Sequence, residues 1–261
     1  MKINEIIKHL ESQGTWVNWD QTRDIVYFGE TDKEITKVGT CWVMTNNVIK
    51  QAIDKGINFI ITHENPFYHM TTSPNQIAKA SIDAKKKLLQ EHDITVYRCH
   101  DVWDKIPHVG VADVWARKIG YDFKRDTASY LQHASLIEPT TVNDLALRVA
   151  KALKEDGEDG VYVFGDTTKK VYEIGMGTGA ATDIFGMLKE KCDVCIVADD
   201  GINNWYQAQY SVDNDLPLIV VNHSGCEIAG LKEMAKYLSE IFKDVSIEYL
   251  DEGYHISYYK V

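Results

Sequence analysis

Apolar positions along the chain fall into two periods. Near the start, Ile3, Ile6, Ile7 and Leu10 recur at helical spacing among charged residues, which predicts an amphipathic helix over 2–13. Segments 25–28 and 38–44 alternate or run apolar and predict strands. Asn46 or Asn47 can cap a helix over 48–55 that Gly56 closes, and a short buried strand follows over 57–62. Residues 38–62 therefore read as one β-α-β unit, whose crossover requires a parallel pair. A loop from 63 to 73 leads to a long helix over 75–91 with Ile77, Ala80, Ala84 and Leu88 as its apolar stripe, then to strand 94–99 and helix 110–119, ended by Gly120.

Residues 121–135 are polar and lack a clear period, so the boundary is placed near 127, with one domain over 1–127 and a second over 128–261. The second half restarts the pattern. Helix 141–154 carries Leu145, Val149 and Leu153. Strands 160–164 and 170–175, the turn GMGTGA, helix 181–191, strand 193–198, helix 203–212 and strand 216–221 come next. A helix over 222–242 buries Ile228, Leu231, Met234 and Leu238, and strands near 245–249 and 254–259 close the chain. The expected fold class is α/β: two similar layered domains with mostly parallel central sheets.

With 44% apolar and 10% aromatic residues among 261, the chain can bury a sizeable core. The balance of 28 basic against 39 acidic residues, a net charge of −11, argues against a nucleic-acid or membrane partner. The start is amphipathic, unlike a signal peptide, and the five cysteines are odd in number and scattered. Reduced thiols in the cytoplasm are expected. Cys192 and Cys195 form a C-x-x-C with no second pair to complete a four-thiolate zinc site, and packing is the expected role.

Candidate chemistry collects where strands end, the edge at which open α/β sheets bind ligands. His63 and Glu64 follow strand 57–62, and Pro66 then stops the ladder. His100, Asp101 and Asp104 follow strand 94–99, Asp199 and Asp200 follow strand 193–198, and His223 and Glu227 follow strand 216–221. Imidazole and carboxylate together suit zinc, iron(II) or manganese. Carboxylates able to bridge favour two ions, of which one lowers the pKa of water and the other polarises the group attacked. Each signal has a plainer reading. His63 could hydrogen-bond in a turn, Asp104 could cap a turn over 104–107, and Ser224 with Glu227 fits a helix capping box. GMGTGA could cradle a phosphate or simply pack tightly. The other histidines, His9, His69, His92, His108, His133 and His255, have no spacing that singles them out.

The sequence MKINEIIKHLE, then ITHENP, YRCHDVWD and NHSGCE in that order, resembles the Nif-three-like dinuclear-metal family, whose members are often labelled GTP cyclohydrolase I type 2-like. The resemblance spans nearly the whole chain. It implies a metal site at the cleft between the domains, with His63, Glu64, Asp104, His223 and Glu227 as ligands of two divalent ions per subunit and segment 216–261 returning ligands to it. His100 matches a strand-end histidine near the site. Glu64 stands where the family pattern has a second histidine, and Asn65 delays the proline by one residue; a carboxylate there shifts preference toward harder ions. Two functions follow as alternatives. One is a metal-dependent hydrolase of a small, nucleotide-like substrate, with Glu227 or Glu64 as ligand or proton acceptor and Asp199 and Asp200 lining the pocket. The other is a non-catalytic metal-binding regulatory or chaperone-like protein. The resemblance also implies a homo-oligomer, a ring-shaped hexamer.

Overall fold

The computed structural model describes residues 1–68, 76–126 and 129–259. The chain divides into two compact units, the first Met1–Val109 with Leu231–Tyr254, the second Gly110–Gly230 with His255–Val261.

The first unit runs α1 (Ile3–Gln13), β1 (Val26–Phe28), β2 (Lys37–Cys41), α2 (Asn46–Lys55), β3 (Phe59–Thr62), α3 (Gln76–Glu91), β4 (Thr95–Arg98) and α4 (Asp101–Lys105). Its sheet has the order β1-β4-β3-β2-β10, with β10 (Ser246–Tyr249) supplied by the returning C-terminal segment. All neighbours are parallel except β1, which runs antiparallel to β4. Cys41 pairs with Thr62 and Thr62 with Arg98, so three parallel strands end in one row and the residues after them emerge side by side. Thr45, rather than either asparagine after it, caps α2, its hydroxyl accepting from the Val48 N–H, and Gly56 ends that helix at φ 68°.

The structure departs from the sequence expectation at three points. The stripe Ile77, Ala80, Ala84 and Leu88 of α3 faces outward, and the helix buries Lys85 and Leu89 instead. The apolar period was found one position away from the face that packs. Segment 246–249 belongs to the first sheet, so the second domain does not run unbroken from 128 to 261. The division after Val109 also differs from the expected 127. The reason is α5 (Val111–Ile119), whose Trp115, Ala116 and Ile119 join the core of the second unit with Leu145, Val149 and Ile174.

The second unit continues with β5 (Gln132–Thr141), α6 (Val142–Leu153), β6 (Tyr162–Phe164), β7 (Lys170–Met176), α7 (Ile184–Lys189), β8 (Val194–Ala198), α8 (Gln207–Asp213) and β9 (Leu218–Val221). The order is β5-β7-β8-β9-β6, with a parallel β7-β8-β9 centre and antiparallel edges. Strand β5 escaped sequence reading because it is a partly solvated edge with Pro139 and an irregularity between Ser135 and Thr140, which erase the alternation. The expected closing strand at 254–259 reduces to one bridge between Glu158 and Ile256. Helix α9 (His223–Ile241) contributes its residues to Gly230 to the second unit and those from Leu231 to the first. Among the described residues no helix is long and apolar enough to cross a membrane.

Candidate metal centre

In the first unit, His63 and Glu64 leave β3 with both N–H groups donating to the Trp42 carbonyl, at 3.1 and 2.7 Å. His63 is fully buried. Its Nδ1 lies 3.2 Å from the Cys99 carbonyl, a partner that fixes the tautomer with the proton on Nδ1 and the lone pair on Nε2. That Nε2 faces Asp104 Oδ1 at 3.2 Å. His100 stacks on His63, the ring centroids 4.5 Å apart and the planes 5° from parallel, and its Nδ1 lies 3.1 Å from Asp104 Oδ2. Donor atoms of His63, His100 and Asp104 all lie within 4.8 Å of one another. Two nitrogens and a carboxylate, mostly buried and oriented from behind, are a donor set that fits a divalent ion of the zinc or iron(II) type.

Asp104 sits inside α4 with its side chain toward the two imidazoles, so the turn-cap reading does not apply. The cap of α4 comes from Asp24, whose carboxylate accepts from the N–H groups of His100, Asp101 and Val102, the last two at 2.8 Å. Burial pushes the Asp24 carboxyl up, against these bonds. Asp101 also reaches the cluster, its Oδ1 3.0 Å from His100 Nδ1, and is itself held by Arg23 and Thr22. Burial would raise its carboxyl, but the hydrogen bonds from His100 and the Arg23 N–H hold it well below the usual range. Burial likewise pushes His100 down, but Asp104, Asp101 and Glu64 together outweigh it and raise the imidazole.

Glu64 projects its Oε2 to the buried Arg98, 2.8 Å from Nη2, while Arg98 Nε donates to the His63 carbonyl at 2.8 Å. Its Oε1 lies 3.6 Å from His100 Nε2. Burial pushes the Glu64 carboxyl up, but His100, His63 and Arg98 together bring it down to about 2. The carboxylate is thus ionised and tied down.

In the second unit, Asn222 caps α9, its Oδ1 accepting from the Ser224 N–H at 3.1 Å and the Ser224 hydroxyl at 2.6 Å. The Ser224–Glu227 capping box does not form. Glu227 instead turns its Oε2 to His223 Nε2 at 3.0 Å. Asp200 holds His223 Nδ1 at 2.7 Å, and Asp199 accepts from the His223 N–H at 3.0 Å and from the Asn222 amide at 2.9 Å. Asp199 and Asp200 therefore hold His223 in position from behind. Burial pushes His223 down, but Glu227 and Asp200 override it and lift the imidazole to about 11. The ring thus lies between two carboxylates, Asp200 at Nδ1 and Glu227 at Nε2.

GMGTGA passes directly over this pair. A Cβ on Gly179, which has φ +52°, would lie 2.5 Å from both Glu227 Oε1 and His223 Nε2. The Gly177 and Gly179 N–H groups bond to Ile196 O and Cys226 Sγ, so the turn packs on His223 and Glu227 and offers neither amide to a phosphate. Cys192 and Cys195 are buried free thiols in an apolar cluster, and burial pushes Cys192 up to about 12 and Cys195 higher, which suits packing rather than redox work. Of the remaining histidines, His9 bonds to Tyr237 and His133 to Glu173, and His69 lies outside the described residues.

His63, Asp104, His223 and Glu227 follow strands as the sequence pattern predicts, and His100, which the resemblance puts near the site, lies with His63 and Asp104. Its i, i+4 spacing to Asp104 on one short helix was the available signal. Arg98, Asp24 and the backing role of Asp200 depend on pairings across the chain that no local pattern carries.

Two α/β units with five-stranded, mostly parallel sheets, one holding a mostly buried His-His-Asp cluster at a strand edge, define a fold shared with proteins of one lineage. The chain belongs to that lineage: the family model described as Duf34/NIF3 (NGG1p interacting factor 3) matches residues 1–252. A relative from Clostridium perfringens named GTP cyclohydrolase 1 type 2 homolog is 26% identical over 208 residues, 76% of this chain and 78% of the relative. One of the same name from Clostridium acetobutylicum is 24% identical over 220 residues, covering 80% and 79%. The crystal structure of a hypothetical protein from Staphylococcus aureus superposes with a TM-score of 0.75 over 99% of this chain and 97% of its own, at 20% identity.

Proposed function

We propose that this protein is a metal-dependent, dinuclear hydrolase-like protein acting on a small, nucleotide-like substrate. The observation that carries the reading is the orientation of His63: the Cys99 carbonyl at Nδ1 and Asp104 at Nε2 arrange a fully buried imidazole as metal-binding histidines are arranged. A divalent ion supplies Lewis acidity and an activated water near neutral pH. In this proposal His63, His100 and Asp104 bind, and His223, Glu227 and Glu64 serve the same centre, as the family resemblance implies. Glu227 is the proton acceptor. Glu64, tied to Arg98 through Oε2, acts as a ligand or a charge beside the ion. The names of the clostridial relatives support a purine nucleotide as the substrate class to test first. The proposal extends to a cytoplasmic homohexamer, which light scattering after gel filtration tests.

The test is turnover of GTP and a panel of phosphoesters by protein loaded with zinc, iron(II) or manganese. Hydrolysis that disappears in Asp104→Ala together with the metal supports the assignment. Hydrolysis that survives in metal-free Asp104→Ala excludes these residues. Metal-replete protein that turns over none of the panel leaves the non-catalytic regulatory reading as the better one.

A further inference from the structure

Two arginine ion pairs abut the His63–His100–Asp104 cluster among the described residues: the exposed Arg23 with Asp101, which reaches His100 Nδ1, and the buried Arg98 with Glu64. The Arg98 guanidinium is 6% exposed and makes two contacts: one to Glu64 Oε2, the other to the carbonyl of His63, itself a candidate ligand. The register that pairs Thr62 with Arg98 fixes both, because β3 and β4 end side by side. Counting charges, the two imidazoles are neutral when they bind a metal, the Asp101–Arg23 pair cancels, Asp104 and Glu64 carry one negative charge each, and Arg98 removes one. A divalent ion therefore meets two nitrogen donors and a net charge of about −1 from these side chains of the first unit, before any contribution from Glu227. Without Arg98 it would meet about −2, a more oxygen-rich and more anionic site suited to harder ions.

We propose that Arg98 is a specificity-determining residue of the metal centre: by neutralising Glu64 it sets the charge the ion encounters, and so favours zinc or iron(II) over manganese or magnesium. The inference rests on the metal reading above, but its test is separate. Substituting Glu64 leaves Arg98 uncompensated and should repel any cation. Substituting Arg98 leaves Glu64 uncompensated and should attract one. A purely architectural Arg98, needed only to prop the His63 carbonyl, would instead weaken binding when removed.

The experiment is competition titration of full-length protein against a chromophoric chelator, with zinc and with manganese, for wild type, His63→Ala, Glu64→Gln, Arg98→Met, Arg98→Lys and the Glu64→Gln/Arg98→Met double variant, each checked by thermal melting. We expect Glu64→Gln to weaken manganese binding and Arg98→Met to strengthen it, each about tenfold, with the zinc preference narrowed in Arg98→Met. Arg98→Lys, which keeps the charge, and the double variant, which removes both, should stay within about threefold of wild type. If Arg98→Met does not fold, manganese binding restored from the Glu64→Gln level to near wild type in the double variant carries the same information. Shifts of Glu64→Gln and Arg98→Met in one direction, or an Arg98→Lys that behaves as Arg98→Met, overturn the proposal while leaving the metal site intact. Wild type and His63→Ala binding both ions equally would instead overturn the metal reading, and this inference with it.

Discussion

His63 and His100 lie face to face, 4.5 Å between ring centroids and 5° from parallel, although 36 residues of chain separate them at the backbone contact that joins the two strand ends. Stacking two imidazoles in a buried site is unfavourable if both are protonated, and it is relieved when their nitrogens share a cation with Asp104. His100 is therefore expected to be a ligand in its own right. His100→Ala should lower zinc affinity by about 10- to 100-fold, read by chelator competition, with the melting temperature of the metal-free protein little changed. An affinity equal to wild type would return His100 to the role of a neighbour.

Asp200 is expected to act through His223. Its carboxylate sits 2.7 Å from Nδ1, which directs the lone pair of a neutral ring to Nε2 beside Glu227. Asp200→Asn should reduce metal affinity by about tenfold without unfolding the protein. Circular dichroism separates the two effects, and unchanged affinity would show that the ring needs no such partner.

Gly179 is expected to tolerate no side chain. Its positive φ and the 2.5 Å approach of a Cβ to both Glu227 and His223 act together. Gly179→Ala should cost about 1–3 kcal/mol of stability and displace the His223–Glu227 pair, lowering metal occupancy as well. A variant with wild-type melting temperature and occupancy would mean that the turn over 175–180 has room to move.

Much of this geometry could be read from the chain in advance. The apolar run into His63, the switch from strand to helix after Val221 and the Gly cap of α2 are local signals, and each was legible. The losses have physical causes. Strand β5 is a partly solvated edge with no apolar alternation. Helix α4 is five residues long and is capped from Asp24, 77 residues before Asp101, so it has no period of its own. The α3 stripe was misjudged because a buried lysine, Lys85, takes a core position by donating to the Met44 and Pro66 carbonyls. The unit boundary was displaced because β10 returns to pair with β2, a non-local choice that sequence pattern does not record.

Glu252 provides a pH-dependent signature away from the candidate ligands. It is 3% exposed and accepts from the Trp42 N–H and the Tyr249 hydroxyl. Burial outweighs these bonds and holds its carboxyl above the usual carboxylate value. A raised folded pKa means that the stability tied to the neutral carboxyl is complete below the unfolded pKa and is lost as pH rises through the folded one. Glu252→Gln removes that loss. Its melting temperature relative to wild type should therefore be more favourable at pH 7 than at pH 4. A difference that is flat, or that runs the other way, would place the carboxyl in the ordinary range.

The most direct measurement is metal content by elemental mass spectrometry of full-length protein equilibrated with zinc and then desalted, comparing wild type with His63→Ala and Asp104→Ala, all three verified as folded. The expected result is retained zinc in wild type and a loss of about tenfold or more in both variants. Equal zinc in all three would contradict the assignment of a metal centre to this strand edge.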